Sequence, residues 1–258
     1  MEYVRYEVQD HVAIITIDRP KALNALNKEV VCELDETIKG IDLDVVRCVI
    51  ITGAGSKSFV AGADIGTMSH MTKQEGHDWG IYGNNVFLAI EKLPVPVIAA
   101  VNGFALGGGN ELAMSCDFRI CSDNAVFGQP EVGLGITAGF GGTQRLARIV
   151  GVGYAKEMLF SAGTIKADEA LRVGLVNHVY PQEELMENAM KLAKKISSNA
   201  PIAVRNSKKA VNEGITFEID DAVALEAKLF GDCFETADQV EGMSAFLEKR
   251  KDKKFINR

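Results

Sequence analysis

Three short apolar runs limit what this chain can become. They are Val12-Ala13-Ile14-Ile15-Thr16-Ile17-Asp18, Cys48-Val49-Ile50-Ile51-Thr52 and Val97-Ile98-Ala99-Ala100-Val101. Runs of this length, rich in β-branched residues and bounded by Pro, Gly or charged residues, read as buried strands. Helical segments separate them. Asn27 is a natural N-cap for a helix to about Lys39. A second helix is expected to end near Lys92, before Pro94 and Pro96. The stretch from Thr67 to Tyr82, polar and rich in Met and His, reads as looser chain. A short helix from near Gly108 to Cys116 and strands near Phe118–Cys121 and Ala125–Phe127 follow. From about Gly141 helical periodicity dominates, broken by one short strand over 175–179. Late helices are expected over 183–198, 202–212, 217–233 and 236–251. The organisation is therefore a strand-rich core over residues 1–195 and a helical region over 196–258. Met243, Phe246 and Leu247 form an apolar stripe that needs a cover, either the chain's own core or a second subunit.

Composition narrows the class. Of 258 residues, 47% are hydrophobic and 24% charged, as in ordinary globular proteins. No apolar run approaches the roughly 20 residues of a membrane span. The start, Met1-Glu2-Tyr3-Val4-Arg5-Tyr6, has neither the basic end nor the apolar stretch of a signal peptide, so a cytoplasmic location is expected. A net charge of -7 gives no footprint for nucleic acid. The basic cluster Lys249-Arg250-Lys251-Asp252-Lys253-Lys254 reads as a solvated helix end or a contact to an anionic ligand. Five cysteines without C-x-x-C read as reduced, mostly buried thiols. Four histidines without H-E-x-x-H give no support for a metal site.

The chemistry is concentrated in two glutamates beside glycine-bearing turns. Glu111 ends the stretch Gly103-Phe104-Ala105-Leu106-Gly107-Gly108-Gly109-Asn110-Glu111, and Glu131 ends Phe127-Gly128-Gln129-Pro130-Glu131. A helix starting near Gly108 exposes free N–H groups and the positive end of its dipole. Such donors suit an oxyanion hole, and glycine lets a ligand come close. A third small-residue turn, Phe59-Val60-Ala61-Gly62-Ala63-Asp64, offers more N–H groups. Two carboxyls on one cavity can divide proton removal and proton delivery. From the residues alone, a tight strand–helix turn and an exposed loop glutamate are the simpler readings. The glycines do not spell G-x-G-x-x-G, and Gly53-Ala54-Gly55-Ser56-Lys57-Ser58 lacks the Gly-Lys-Ser/Thr of a P-loop. No G-x-S-x-G marks a serine hydrolase.

Taken in order, several stretches resemble the crotonase (enoyl-CoA hydratase/isomerase) family. They are Arg19 to Leu26, Phe59 to Asp64, Val101 to Met114, Phe127 to Glu131, Gly141 to Leu146, Lys166 to Ala170, Gly174 to Val176 and Glu241 to Phe246. The similarity runs from about residue 10 to the C-terminus, and Asp117 to Ala170 is most similar to bacterial short-chain members. The resemblance implies an α/β fold, a spiral of repeated β-β-α units with a helical C-terminal trimerisation region, two trimers usually stacking into a hexamer. It implies reversible hydration of short-chain trans-2-enoyl-CoA, with crotonyl-CoA as the expected substrate and no cofactor beyond the CoA that the substrate carries. The family's paired catalytic carboxylates fall on Glu111 and Glu131, and its oxyanion donors on the N–H groups of Ala63 and Gly108. CoA contacts fall on Lys21, Ala22, Ala61, Asp64 and Ile65. Phe246 and Lys249 match a segment that in relatives reaches a neighbouring subunit's CoA site. Members with other chemistries often lack one glutamate, so keeping both favours a hydratase over an isomerase or a non-catalytic binding protein. The chain departs from its relatives at Ala138, where proline is common, and at Gly66, where lysine is.

Overall fold

The apolar runs lie side by side in a computed structural model that describes residues 1–258. β1 (Val4–Gln9) and β2 (Val12–Ile17) form an antiparallel hairpin through Asp10 and His11, at φ 51° and 66°. Positive φ at both turn residues matches the twist of the flanking strands. β2 then pairs in parallel with β3 (Cys48–Gly53), β3 with β5 (Val97–Val101), β5 with β7 (Phe118–Ser122) and β7 with β10 (His178–Tyr180). Both faces of this sheet are covered. Ile14, Ile50, Ile98 and Ile120 pack under Leu185, Ala189 and Ala193 of α8 (Leu185–Ser197). Ile15, Ile51, Ala99 and Cys121 join the main core on the other face. Burial on two faces is why the strands read as continuous apolar runs.

A second sheet orders four short strands as β4 (Ser58–Val60), β6 (Phe104–Leu106), β8 (Val126–Gly128) and β9 (Thr164–Lys166). A strand of the first sheet, a strand of the second and a helix follow each other three times. β3 and β4 lead to α2 (Ile65–Met68) and α3 (Lys73–Glu91). β5 and β6 lead to α4 (Gly108–Ser115). β7 and β8 lead to α5 (Gly142–Val150). This is the expected β-β-α spiral, and the ends of β4, β6 and β8 bring the three chemically interesting turns together.

The structure differs from expectation at several elements. β1 buries only Val4 and so carries no apolar signal. β9 is a three-residue edge strand, and β10 starts at His178 because Leu175 and Val176 plug the core ahead of it. The stretch over 67–82 is not loose. α3 begins at Lys73 with a capping box, in which Thr72 Oγ1 accepts from Glu75 N (3.3 Å) and the Glu75 carboxylate accepts from Thr72 N (2.7 Å).

Helices α6 (Val152–Ser161), α7 (Ala167–Arg172), α9 (Pro201–Gly214), α10 (Ile219–Cys233) and α11 (Ala237–Leu247) complete the chain. α9 is tied to the core by Lys208 Nζ, which donates to Asp117 (2.7 Å) and to the Val95 carbonyl (3.0 Å). The tail folds back, with buried Asp238 accepting from Ile256 N (2.6 Å) and Asn257 N (3.0 Å). α11 stops at Leu247 rather than near residue 251, and Lys249 at φ 58° turns the chain away. The apolar stripe is not packed on the chain's own core: Met243, Phe246 and Leu247 are 48%, 77% and 79% exposed.

Candidate active site

The turn from β6 into α4 sets the site. Gly107 has φ 51° and ψ −122°, and its carbonyl accepts from Glu111 N at 2.9 Å. A Cβ on Gly109 would lie 1.8 Å from the Val60 carbonyl oxygen, so only glycine lets the helix lie this close to β4. That approach brings Gly108 beside Ala63, where a Cβ on Gly108 would sit 3.5 Å from Ala63 N. The Ala63 N–H direction is fixed by its neighbours. Leu26 N donates to Gly62 O (2.9 Å) and Asp64 N to Leu26 O (2.8 Å), which turns the Ala63 N–H to the opposite side of an extended segment. No turn, loop or cap carbonyl accepts from Ala63 N or Gly108 N. Two free N–H groups therefore sit together at the positive end of α4.

Both glutamates line the same cavity, of about 580 Å³, as do Ala63 and Gly108. Glu111 is 1% exposed. Its Oε1 accepts from Phe140 N (2.9 Å) and from Gly142 N (2.7 Å), the first residue of α5. Burial, and then the nearby Glu131 carboxylate, push its pKa up to about 7, while the two N–H groups pull it down. Burial also pushes Glu131 up. Its Oε2 is buried with no protein partner, and its Oε1 would lie 2.7 Å from a Cβ on Gly107. Two carboxyls with raised pKa values on one apolar cavity can hold a single proton between them near neutral pH.

The surrounding shell orients these groups. Arg145 donates to Glu91 (2.8 and 3.0 Å) and to the Phe140 carbonyl (2.9 Å), and Asn84 Nδ2 donates to Gly139 O (2.7 Å). The loop that holds Glu111 is thus pinned without a proline at Ala138. Gln129 is fully buried, and turning its amide so that the nitrogen donates to the Gly107 and Gly128 carbonyls gives contacts of 3.1 and 3.0 Å. The Phe140 and Gly142 donors escaped the sequence reading because backbone groups carry no residue signature. The clue was a helix starting after Gly141, since free N–H groups at a helix start bind carboxylates.

The other candidate residues divide into two groups. Ala61 and Ile65 line the cavity. Lys21 and Ala22 lie on a short turn over Pro20–Ala22 that is strapped to Ala61 through Ala61 N and Leu23 O (3.1 Å). Asp64 caps α2 and pairs with Arg19 at 2.8 Å, which holds its carboxyl below the usual range. Phe246 and Lys249, on or beyond α11, are not among the residues lining this chain's cavity.

Comparison with known proteins identifies the family. The model of the enoyl-CoA hydratase/isomerase family matches residues 7–255. The short-chain-enoyl-CoA hydratase of Clostridium acetobutylicum is 60% identical, over 98% of this chain and 97% of its own. The crotonyl-CoA hydratase of Syntrophomonas wolfei is 55% identical, over 97% and 96% respectively. The crystal structure of an enoyl-CoA hydratase from Bacillus anthracis superposes with a TM-score of 0.95 at 38% identity, covering 99% of this chain and all of that one. With its β-β-α spiral and near-full-length similarity, the chain belongs to the enoyl-CoA hydratase/isomerase family.

Proposed function

We propose that this protein catalyses the reversible hydration of short-chain trans-2-enoyl-CoA, with crotonyl-CoA as substrate and 3-hydroxybutyryl-CoA as product. The observation that carries this reading is that two carboxyls with raised pKa values line one cavity together with Ala63 and Gly108, whose N–H groups are free. The thioester oxygen accepts from Ala63 N and Gly108 N. Electron density then moves from the double bond towards that oxygen, which leaves C3 open to attack. Glu111 takes a proton from water as its oxygen bonds to C3. Glu131, bound to the same water, gives its proton to C2. At the end Glu111 is protonated and Glu131 ionised, and the reverse transfers give dehydration.

Burial raises both carboxyls, so the pair can hold one shared proton near neutral pH, and the productive form is the one in which Glu111 is ionised and Glu131 carries that proton. The pair needs one proton in total, so rate should fall at both pH extremes. CoA contacts are assigned to Lys21, Ala22, Ala61, Asp64 and Ile65, and to Phe246 and Lys249 of a neighbouring copy in a trimer or stacked hexamer. The test follows absorbance of the conjugated enoyl thioester as crotonyl-CoA is hydrated. Rapid loss of absorbance supports the reading. No loss with crotonyl-CoA, together with migration of the double bond of a 3-enoyl-CoA into conjugation, would replace it with an isomerase.

A further inference from the structure

Asp64 follows directly on Ala63, and its charge works against the proposed chemistry. Negative charge builds on a thioester oxygen held by Ala63 N, and a carboxylate on the next residue opposes it. The backbone turns that carboxylate aside, since Ala63 and Ile65 line the cavity and Asp64 does not. It is also tied in place. Asp64 is the N-cap of α2, and its Oδ1 accepts from Thr67 N at 3.3 Å. One cation answers it. Arg19 Nη1 donates to Asp64 Oδ2 at 2.8 Å, with both side chains 25% exposed. Arg19 is in turn held from behind. Its N–H donates to Asn24 Oδ1 (2.9 Å), and Nη1 also donates to Ala25 O (3.3 Å). Asn24 is fully buried at φ 60°, a left-handed conformation that asparagine tolerates better than most residues. Its Nδ2 donates to Ala54 O (3.0 Å) and Ser58 O (2.8 Å), which fastens the Arg19 loop to the chain between β3 and β4. The guanidinium is therefore in place before any ligand arrives.

We infer that Arg19 is a positioning residue of the oxyanion hole that acts by charge: it neutralises Asp64, so that a carboxylate can cap α2 beside the hole without opposing the oxyanion. The inference rests on the proposed acyl-CoA site and adds a residue that tunes its field. A strap and a shield differ in what they predict. In a strap, losing either partner breaks the same bond, so both single variants and the double variant are alike. In a shield, losing Arg19 alone leaves a bare carboxylate beside the hole, and losing Asp64 as well removes the harm. Two substitutions separate these cases cleanly. Asp64→Asn removes the charge and keeps a good N-cap. Arg19→Met removes the charge and keeps most of the stem.

The test uses 3-oxobutyryl-CoA, which ionises to an enolate that shares its negative charge between the C3 oxygen and the thioester oxygen. The enolate absorbs in the near ultraviolet where the keto form does not. The enolate-to-keto ratio of the bound ligand therefore reads oxyanion stabilisation without turnover. It is measured at one pH on the wild type, Arg19→Met, Arg19→Lys, Asp64→Asn and the double variant Arg19→Met/Asp64→Asn, beside kcat and KM for crotonyl-CoA. Arg19→Met should lower both the ratio and kcat about tenfold, the order expected of one unpaired charge close to the hole. The double variant should recover most of that loss. Asp64→Asn should raise the ratio, because an unneutralised cation remains, and Arg19→Lys should lose less than Arg19→Met. If Arg19→Met does not fold, Asp64→Asn and Arg19→Lys decide. A double variant as poor as Arg19→Met, or a lowered ratio in Asp64→Asn, would overturn the shield and leave a strap. A wild type that binds the ligand wholly as the keto form would overturn the shield together with the oxyanion hole. Absence of hydration in every protein, with the enolate ratios still in the expected order, would sink the hydratase reading and leave the shield standing.

Discussion

Glu111 combines burial with backbone donors, and the balance has a consequence for stability. Its folded pKa of about 7 lies above the ordinary 4.5. A carboxyl raised in this way favours the folded state fully below about pH 4.5 and loses that contribution as pH rises through about 7. Glu111→Gln stays neutral throughout. The melting temperature of Glu111→Gln minus that of wild type should therefore rise between these two pH values and then level off. A difference that is flat with pH would mean that Glu111 titrates normally. The oxyanion donors allow a second test at this scale. A Cβ at Gly108 starts 3.5 Å from Ala63 N and 3.3 Å from Leu26 Cδ1, so a branched side chain there crowds the donor region. Gly108→Val should lower kcat by about 10² or more in a folded protein, the usual cost of losing such a donor. A folded and nearly fully active Gly108→Val would place the oxyanion hole elsewhere.

Among the elements, those built from strong local signals were legible in sequence, and those built from long-range support were not. β2, β3 and β5 announced themselves through unbroken apolar runs, and α1 (Lys28–Lys39) through Asn27, whose side chain accepts from Val30 N. α3 was misread because its outer face is polar and it carries Gly76, Gly80 and Gly83, while Thr72 and Glu75 held the true start signal. Glu111, Glu131, Ala63 and Gly108 were visible because glycine turns and a familiar order of motifs surround them. The loop before α5 was visible only as a motif, and its N–H donors had to be seen in space. Arg145 shows how such an element supports the site, since its guanidinium holds the Phe140 carbonyl and its charge lowers the Glu111 pKa. Arg145→Gln should lower kcat by about tenfold, by loosening a charge-assisted hydrogen bond. It should also move the Glu111 limb of the pH–rate profile to higher pH, because a nearby cation is gone. A lowered kcat with no alkaline shift would make Arg145 a purely structural support.

For the whole molecule, the C-terminal helices leave a broad apolar surface in a single chain. Ile215, Phe230, Phe246 and Leu247 are 79%, 66%, 77% and 79% exposed. Large apolar side chains this exposed on the terminal helices fit an association surface better than free surface. We therefore expect a homo-oligomer built through these helices, with Phe246 and Lys249 serving a neighbour's site. Light scattering should show a trimer or hexamer, and Phe246→Asp should shift it towards monomer and raise KM for the CoA ester. A fully active wild-type monomer at assay concentration would remove both assignments. The central claim is that one cavity uses two carboxyls on one water. Its most direct measurement is kcat for crotonyl-CoA hydration by the wild type, Glu111→Gln, Glu131→Gln and the double variant, with CoA-ester binding measured on each. Each single variant should lose about 10² to 10⁴ in kcat while still binding. The double variant should be little worse than the poorer single one, as for groups that act as a unit. Near-wild-type turnover in either single variant, or losses that multiply in the double, would contradict the account.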